Sequence, residues 1–380
     1  MGEVIKPHRP ARNRRLIAGI LVGAVAMAAV SFAVVGAPHA TASARAQPRD
    51  VKPLLVDENS TNYDWAVVAP KYGAIILNAW NYPWIPAIKH ANPAAVVLEY
   101  KDLPSSRPGA CRQSRDGRLD SALPTGVDYC WARAHHPGWF LRSKNGQLVQ
   151  YRGWPGTFEM DYGNQAYEHR WAANVISDLT HHGWNGVFAD NALTGTGYGV
   201  AARYPTNRAV QAAMGRMIRY VGPRVKSVRK LFIPNVGGDV GYPGIWARWL
   251  PYTSGEFDEF TWSLPGLGIV KSTADWHIWE AEMRACAATR SRCLFHTGEY
   301  VDQPTQVVDF ALASYLLYTN GTSALGMGDD LYAHYPQMYQ RLGAPAGLAH
   351  QPRPRVWRRA FTHGSVTVNL NTWTGTITTH

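Results

Sequence analysis

Several short apolar runs in this chain end on an acid, an amide or an aromatic residue. The residues at those ends are Asn78, Trp80, Glu99, Asp161, Asp190, Asn191, Asn235, Glu256, Glu259 and Glu299. The set lacks a serine or cysteine nucleophile with its base, and it lacks a metal-ligand spacing. It is rich in carboxylates, amides and aromatics. This inventory suits hydrolysis of a glycosidic bond. One carboxylic acid protonates the leaving oxygen, and one carboxylate attacks or activates water. A single carboxylate at a strand end more often caps a helix or ends the strand. The expectation rests on the group, with few cations beside it; Lys101, next to Glu99 and Asp102, is the counter-case.

These side chains must be positioned by the elements that precede them. Eight strand candidates are readable, at 74–77, 95–98, 157–160, 186–189, 231–233, 255–262, 293–296 and 323–325, most of them followed by a helical stretch. In 165–182, Tyr167, Trp171, Val175 and Leu179 make an apolar stripe, and Gly183 stands where a C-terminal cap belongs. Thr206 is placed to cap a helix over 206–221, and Pro304 opens another over 304–318. Repeated strand–helix alternation predicts an α/β fold, a (β/α)8 TIM barrel, whose pocket lies at the C-terminal ends of its strands. A doubly wound open sheet is the alternative, and the absence of GxGxxG weakens it. The long connection 103–156 holds two cysteines and several tryptophans, which predicts an ordered flap over the mouth. The tail alternates with Thr and Val, as antiparallel strands do.

The division expected is a signal peptide at 1–44, a linker at 45–70, the catalytic barrel at 71–350 and a small β appendage at 351–380. Arg12, Arg14 and Arg15 precede the uncharged run Leu16–Val35, and Ala42-Ser43-Ala44 is a cleavage signal. The protein is therefore expected to be secreted or extracytoplasmic, with an uncleaved membrane anchor as the minority alternative. Of the formal charge of +11, the leader carries +4, and no basic cluster is dense enough to imply nucleic acid. Cys111, Cys130, Cys286 and Cys293 allow three pairings, of which 111–130 and 286–293 close the shortest loops. No metal or other cofactor is expected. The partner expected is a carbohydrate, stacked on loop aromatics among Trp80, Trp84, Trp139, Trp154 and Trp262.

The pieces "WFLRSKNG" (139–146), "MDYGNQAY" (160–167) and "GWNGVFADNA" (183–192) carry a resemblance. The chain resembles, over about residues 72–330, TIM-barrel glycoside hydrolases of the hypothetical glycosyl hydrolase families. It is similar, more distantly, to polygalactosaminidase and melibiase-type barrels. The resemblance implies a secreted enzyme that acts on a poly- or oligosaccharide with two carboxylates. In melibiase-type barrels the nucleophile follows the fourth strand and the acid the sixth. Carried over, Asp190 is the nucleophile or base. On the sixth strand Glu256 and Glu259 are the candidate acids, and Glu256 is preferred. Period two puts Asp258 on its face and Glu259 on the other. Glu299 is the rival acid. Asp161 would bind hydroxyls or tune Asp190, and Asn78, Trp80, Glu99, Asn191, Asn235 and Glu299 would contact substrate. A non-catalytic carbohydrate-binding or cell-envelope protein is the alternative, and a lyase or deacetylase a weaker one. The discriminating feature is a second carboxylate facing Asp190.

Overall fold

The computed structural model describes residues 51–57, 60–111, 123–237, 242–264, 267–298, 304–319, 321–327 and 335–380. The expected leader and Glu299 lie outside the described residues.

Short parallel strands make the centre of the fold. β1 (Leu54–Asp57), β2 (Ala74–Asn78), β3 (Val96–Asp102), β4 (Gly186–Asp190) and β5 (Leu231–Pro234) pair in chain order. β6 (Phe257–Asp258), β7 (Leu294–Thr297) and β8 (Ala324–Met327) make a second parallel sheet. Single parallel bridges, Asn235 to Phe257 and Pro53 to Leu325, link the two sheets. The fold is mixed α/β around parallel sheet.

Two expectations about the strands change. The segment 45–70, expected as a linker, carries β1, whose four residues Leu-Leu-Val-Asp are all buried. The run 157–160, expected as a strand of the repeating series, supplies only Phe158–Glu159, antiparallel to Ser105–Ser106. Its neighbours pair antiparallel as well, Gln150 with Phe158 and Phe140 with Met160. The backbone groups of this segment are thus committed within the 103–160 excursion and cannot join the parallel ladder.

Period two gives the parallel strands two different apolar faces. Leu54, Ile76, Leu98, Phe188, Ile233 and Phe257 form a core cluster on one face. Ile75, Leu77, Val97, Val187, Phe232 and Phe295 belong to the larger core on the other, with the helices. Those helices are α1 (Trp65–Val68), α2 (Ile85–Ala91), α3 (Tyr129–His135), α4 (Gln165–His181), α5 (Asn207–Ser227), α6 (Ile245–Trp249), α7 (Thr273–Thr289) and α8 (Thr305–Tyr318).

Helix α4 shows why the sequence folds this way locally. Its stripe Tyr167, Trp171, Val175 and Leu179 is completely buried, and burying each such side chain contributes roughly 1.5–3 kcal/mol. Asn164 caps its start by accepting from Ala166 N. Gly183, at φ +78°, turns the chain out of the helix and into β4. In α5 the Thr206 hydroxyl accepts from Ala209 N, and the helix runs past the expected end to Ser227.

Disulfides join Cys111 to Cys130 and Cys286 to Cys293. The second ties the end of α7 to the start of β7. The tail forms an antiparallel sheet of β9 (His350–Arg353), β10 (Val356–Phe361), β11 (Gly364–Asn369) and β12 (Thr374–Thr379). Trp357 packs on Trp276 of α7, ring centroids 4.3 Å apart. Among the described residues no helix is long and apolar enough to cross a membrane.

Candidate active site

β3 and β4 pair in a register that sets Tyr100 beside Phe188 and Asp102 directly beside Asp190. Tyr100, Asp102 and Asp190 continue the face of Leu98 and Phe188, which looks away from the helices. At the C-terminal ends of these strands the apolar cluster therefore gives way to carboxylates.

Asp190 is partly exposed and held by four hydrogen bonds. Its Oδ2 accepts from the Tyr100 hydroxyl at 2.6 Å and from Asn191 Nδ2 at 3.0 Å. Its Oδ1 accepts from Asn191 N at 2.8 Å and from Asn235 Nδ2 at 2.9 Å. Asn191 sits at φ +60°. Asparagine tolerates that left-handed backbone better than most residues. From there its amide also donates to Asp102 Oδ2 at 3.0 Å. The Asn235 amide reaches a second acid as well, Glu259 Oε2, at 3.0 Å. Asp190 thus has two carboxylate neighbours, each joined to it through one asparagine nitrogen.

Burial raises the Asp190 carboxyl above the ordinary aspartate range, and its hydrogen bonds oppose the shift. Burial first, and the charge of Asp190 second, push Asp102 up to about 7. Glu159 is pushed up to about 7 by burial, with Asp102 adding to it. Folding therefore tightens proton binding at Asp102 and Glu159. Unfolded, both titrate near pH 4. Between about pH 4 and 7 the folded state holds more protons than the unfolded state, so stability is greatest at the acidic end and declines as pH rises through this window. The thermal midpoint is expected to fall across it by several degrees, and Asp102→Asn to flatten the slope. A midpoint that rises steadily from pH 4 to 7 contradicts the shifts.

The other expected site residues divide. Asn78 and Asn235 are buried at strand ends, on the same face as Asp190 by period two. Asn78 Nδ2 donates to the Ser60 hydroxyl at 3.3 Å. Trp80 is 39% exposed and donates from Nε1 to the same hydroxyl at 2.6 Å. Glu99 lies on the helix-facing side of β3, completely buried, 3.1 Å from Lys101 Nζ. Lys101 also binds Asp178 of α4 at 2.9 Å. Glu99 is therefore a strand-to-helix strut, away from the pocket. Asp161 is paired to Arg203 at 3.1 Å and accepts from the Tyr204 hydroxyl. Asp102 takes the neighbouring place expected for Asp161. Trp139 and Trp262 are core residues, whereas Trp154 meets Tyr198 edge-on at 5.3 Å.

Glu256 is the main correction. It is 0% exposed. Phe257, the next residue, packs in the cluster of Leu98 and Phe188, so Glu256 and Asp258 point to the opposite side. Period two separates the faces of β6, but only the pairing of Phe257 with Leu294 of β7 shows which is which. Glu259 is on the side of Asp190.

Sequence reasoning missed Asp102, Tyr100, Tyr151, Glu159 and Tyr198. Asp102 had a signal, because it continues the Leu98–Tyr100 alternation to the end of its strand. Tyr151 and Tyr198 come from connections, where no periodicity marks them. Tyr151 and Tyr198 stack at 4.6 Å. Burial first, and then the charges of Glu259, Asp190 and Asp102, push the Tyr198 hydroxyl above its ordinary range.

Among the described residues, the group close enough to bind a metal is Cys111, Asp128 and Cys130, and both of its sulfurs are in a disulfide.

Comparison with known proteins agrees with this picture at the level of the family. No curated protein sequence matches the chain. Among solved structures, it is similar to the glycoside hydrolase domain of PelA from Pseudomonas aeruginosa, at 12% identity over 75% of this chain and 97% of that one, TM-score 0.47. It is also similar to Aspergillus fumigatus Ega3 in complex with galactosamine, at 11% identity over 76% and 95%, TM-score 0.44. A third is the α-galactosidase of Thermus thermophilus, at 12% identity over 87% and 68%, TM-score 0.47. The model of Hypothetical glycosyl hydrolase family 15 matches residues 89–365, well over half of the chain, and takes in β4, β6 and the carboxylates at their ends. The protein belongs to that family and is a glycosidase.

Proposed function

We propose that the protein is a secreted, retaining glycoside hydrolase in which Asp190 is the nucleophile and Glu259 the acid and base. Its eight parallel strands, linked at both margins by the Asn235–Phe257 and Pro53–Leu325 bridges, are read as one closed (β/α)8 barrel, with the pocket at their C-terminal ends. The two disulfides favour an oxidising, extracytoplasmic location.

One observation carries the mechanism. A single nitrogen, Asn235 Nδ2, donates to both Asp190 Oδ1 and Glu259 Oε2. An amide that spreads its two hydrogens to two acceptors holds them about 5 Å apart. A spacing of about 5–5.5 Å between carboxyl groups suits retention, and inversion needs about 6.5–9.5 Å to admit a water. This arrangement also favours hydrolysis over a non-catalytic binding role.

In the first step Glu259 gives its proton to the glycosidic oxygen as Asp190 attacks the anomeric carbon. The aglycone leaves with that proton, and a glycosyl ester forms on Asp190. In the second, Glu259 takes a proton from water, the water attacks the same carbon, and Asp190 is released. The Tyr100 hydroxyl can rotate off Asp190 Oδ2 to free a lone pair, whereas the asparagine donors keep the carboxylate oriented. Proton NMR of the first sugar product tests the stereochemistry. The expected anomer is that of the substrate. Initial release of the opposite anomer contradicts the assignment.

A further inference from the structure

The flap and the 191–206 connection bring a second group of polar side chains against Asp102. Tyr151 is 4% exposed, and its hydroxyl has no hydrogen-bond partner. Burial first, then the charges of Asp102, Glu159 and Asp190, act on that hydroxyl, which places these acids near it. Glu159 is 3% exposed; the Tyr162 hydroxyl is a neighbour of its carboxylate, and its Oε2 makes no close hydrogen bond. That oxygen would lie 3.6 Å from a Cβ built on Gly199, next to Tyr198. Among the described residues no salt bridge links a lysine or arginine to Asp102, Glu159 or Asp190. No cation is among the groups that act on Tyr151 or Tyr198 either.

We propose that Tyr151, Glu159, Asp102 and Tyr198 form a subsite that binds a hydrogen-bond-donating substituent of the sugar, a hydroxyl or an amine, and excludes uronates and sulfated sugars. The inference rests on the hydrolase reading and adds the substrate class. Buried polar groups without partners are costly, and a ligand that pairs with them removes that cost. A substituent that donates fits the Glu159 oxygen, and the Tyr151 hydroxyl can turn to give or accept. An anionic substituent would meet several acids with no cation paired to them among the described residues. Tyr198, stacked on Tyr151, closes the side of the subsite that faces Asp190 and Glu259.

The test is a polysaccharide panel read by released reducing ends. It comprises neutral galactans, glucans and mannans, an amino polymer such as chitosan, polygalacturonate and alginate, and a sulfated galactan. Cleavage is expected only among the neutral and amino polymers, and the two kinds separate hydroxyl from amine as the preferred donor. On the best polymer, Tyr151→Phe and Glu159→Gln should each raise KM about tenfold with kcat within about threefold, and Tyr151→Phe should melt at or above the wild-type temperature. Cleavage of a polyuronate or sulfated polymer at a comparable rate overturns the subsite, as does wild-type KM in both variants. If nothing on the panel is cleaved, the hydrolase reading fails separately, and calorimetric binding of oligosaccharides from the same polymers to the intact protein decides the subsite. Neutral or amino oligosaccharide binding that weakens in Tyr151→Phe supports it. Uronate binding, or no binding, overturns it.

Discussion

Asp190→Asn is expected to lower turnover about 10³-fold or more while leaving the fold intact. The substitution removes the charge that attacks the anomeric carbon in the proposed mechanism and keeps the shape of the side chain. The hydrogen-bond pattern indicates how the amide will sit. Oδ1 receives two donors that cannot reverse, Asn191 N and Asn235 Nδ2. Oδ2 receives the Tyr100 hydroxyl and the Asn191 amide. The hydroxyl can turn to accept and the amide can flip, so the new nitrogen belongs on that side. Loss of a carboxylate that burial already disfavours should leave the melting temperature close to wild type. Reducing-end release and thermal unfolding of one preparation check both halves. A variant that keeps a tenth of wild-type activity removes Asp190 from the mechanism.

The second large effect separates two glutamates three residues apart. Glu259→Gln is expected to cost about 10²–10⁴ in kcat, the range of a general acid and base. The loss should be largest when the leaving group is a sugar. It should shrink in the first step for a nitrophenyl glycoside, whose leaving group departs without a proton. Glu256→Gln should stay within about threefold of wild type in kcat, because Glu256 faces the helix side and is fully buried. Its consequence belongs to stability, read as a change in melting temperature. Equal losses in the two variants, or the larger loss at Glu256, reverse the assignment.

The two glutamates also mark how far the sequence can be read. Alternation along Gly255–Phe260 separates Glu256 from Glu259 with certainty, but it carries no label for the inner face. The label comes from Phe257, which pairs with Leu294 across 37 positions of chain. The same holds for Asp102. Its strand and its end are visible in the run Val96–Asp102, yet its place beside Asp190 depends on a register between strands separated by the whole flap and α4. Asp161 was the nearer carboxylate in sequence, but the antiparallel pairing of Phe158–Glu159 with Ser105–Ser106 carries it to Arg203 and Tyr204 instead. β1 was hidden because three apolar residues and an aspartate, without a long helical stripe after them, are too short a signal to tell from linker.

Local physics was enough for the α/β alternation, the α4 stripe with its Gly183 cap, the two disulfide pairings and Asp190 at the end of its apolar run. Each depends on residues within a few turns or one short loop of each other, where periodicity, capping and loop closure operate. Only the tertiary structure brings Glu259 beside Asp190 through the Asn235 amide and stacks Tyr151 on Tyr198. Those choices depend on strand register and on long connections folding back. Register is fixed by the burial of whole faces at once, a sum over distant strands that no single stretch of the chain contains.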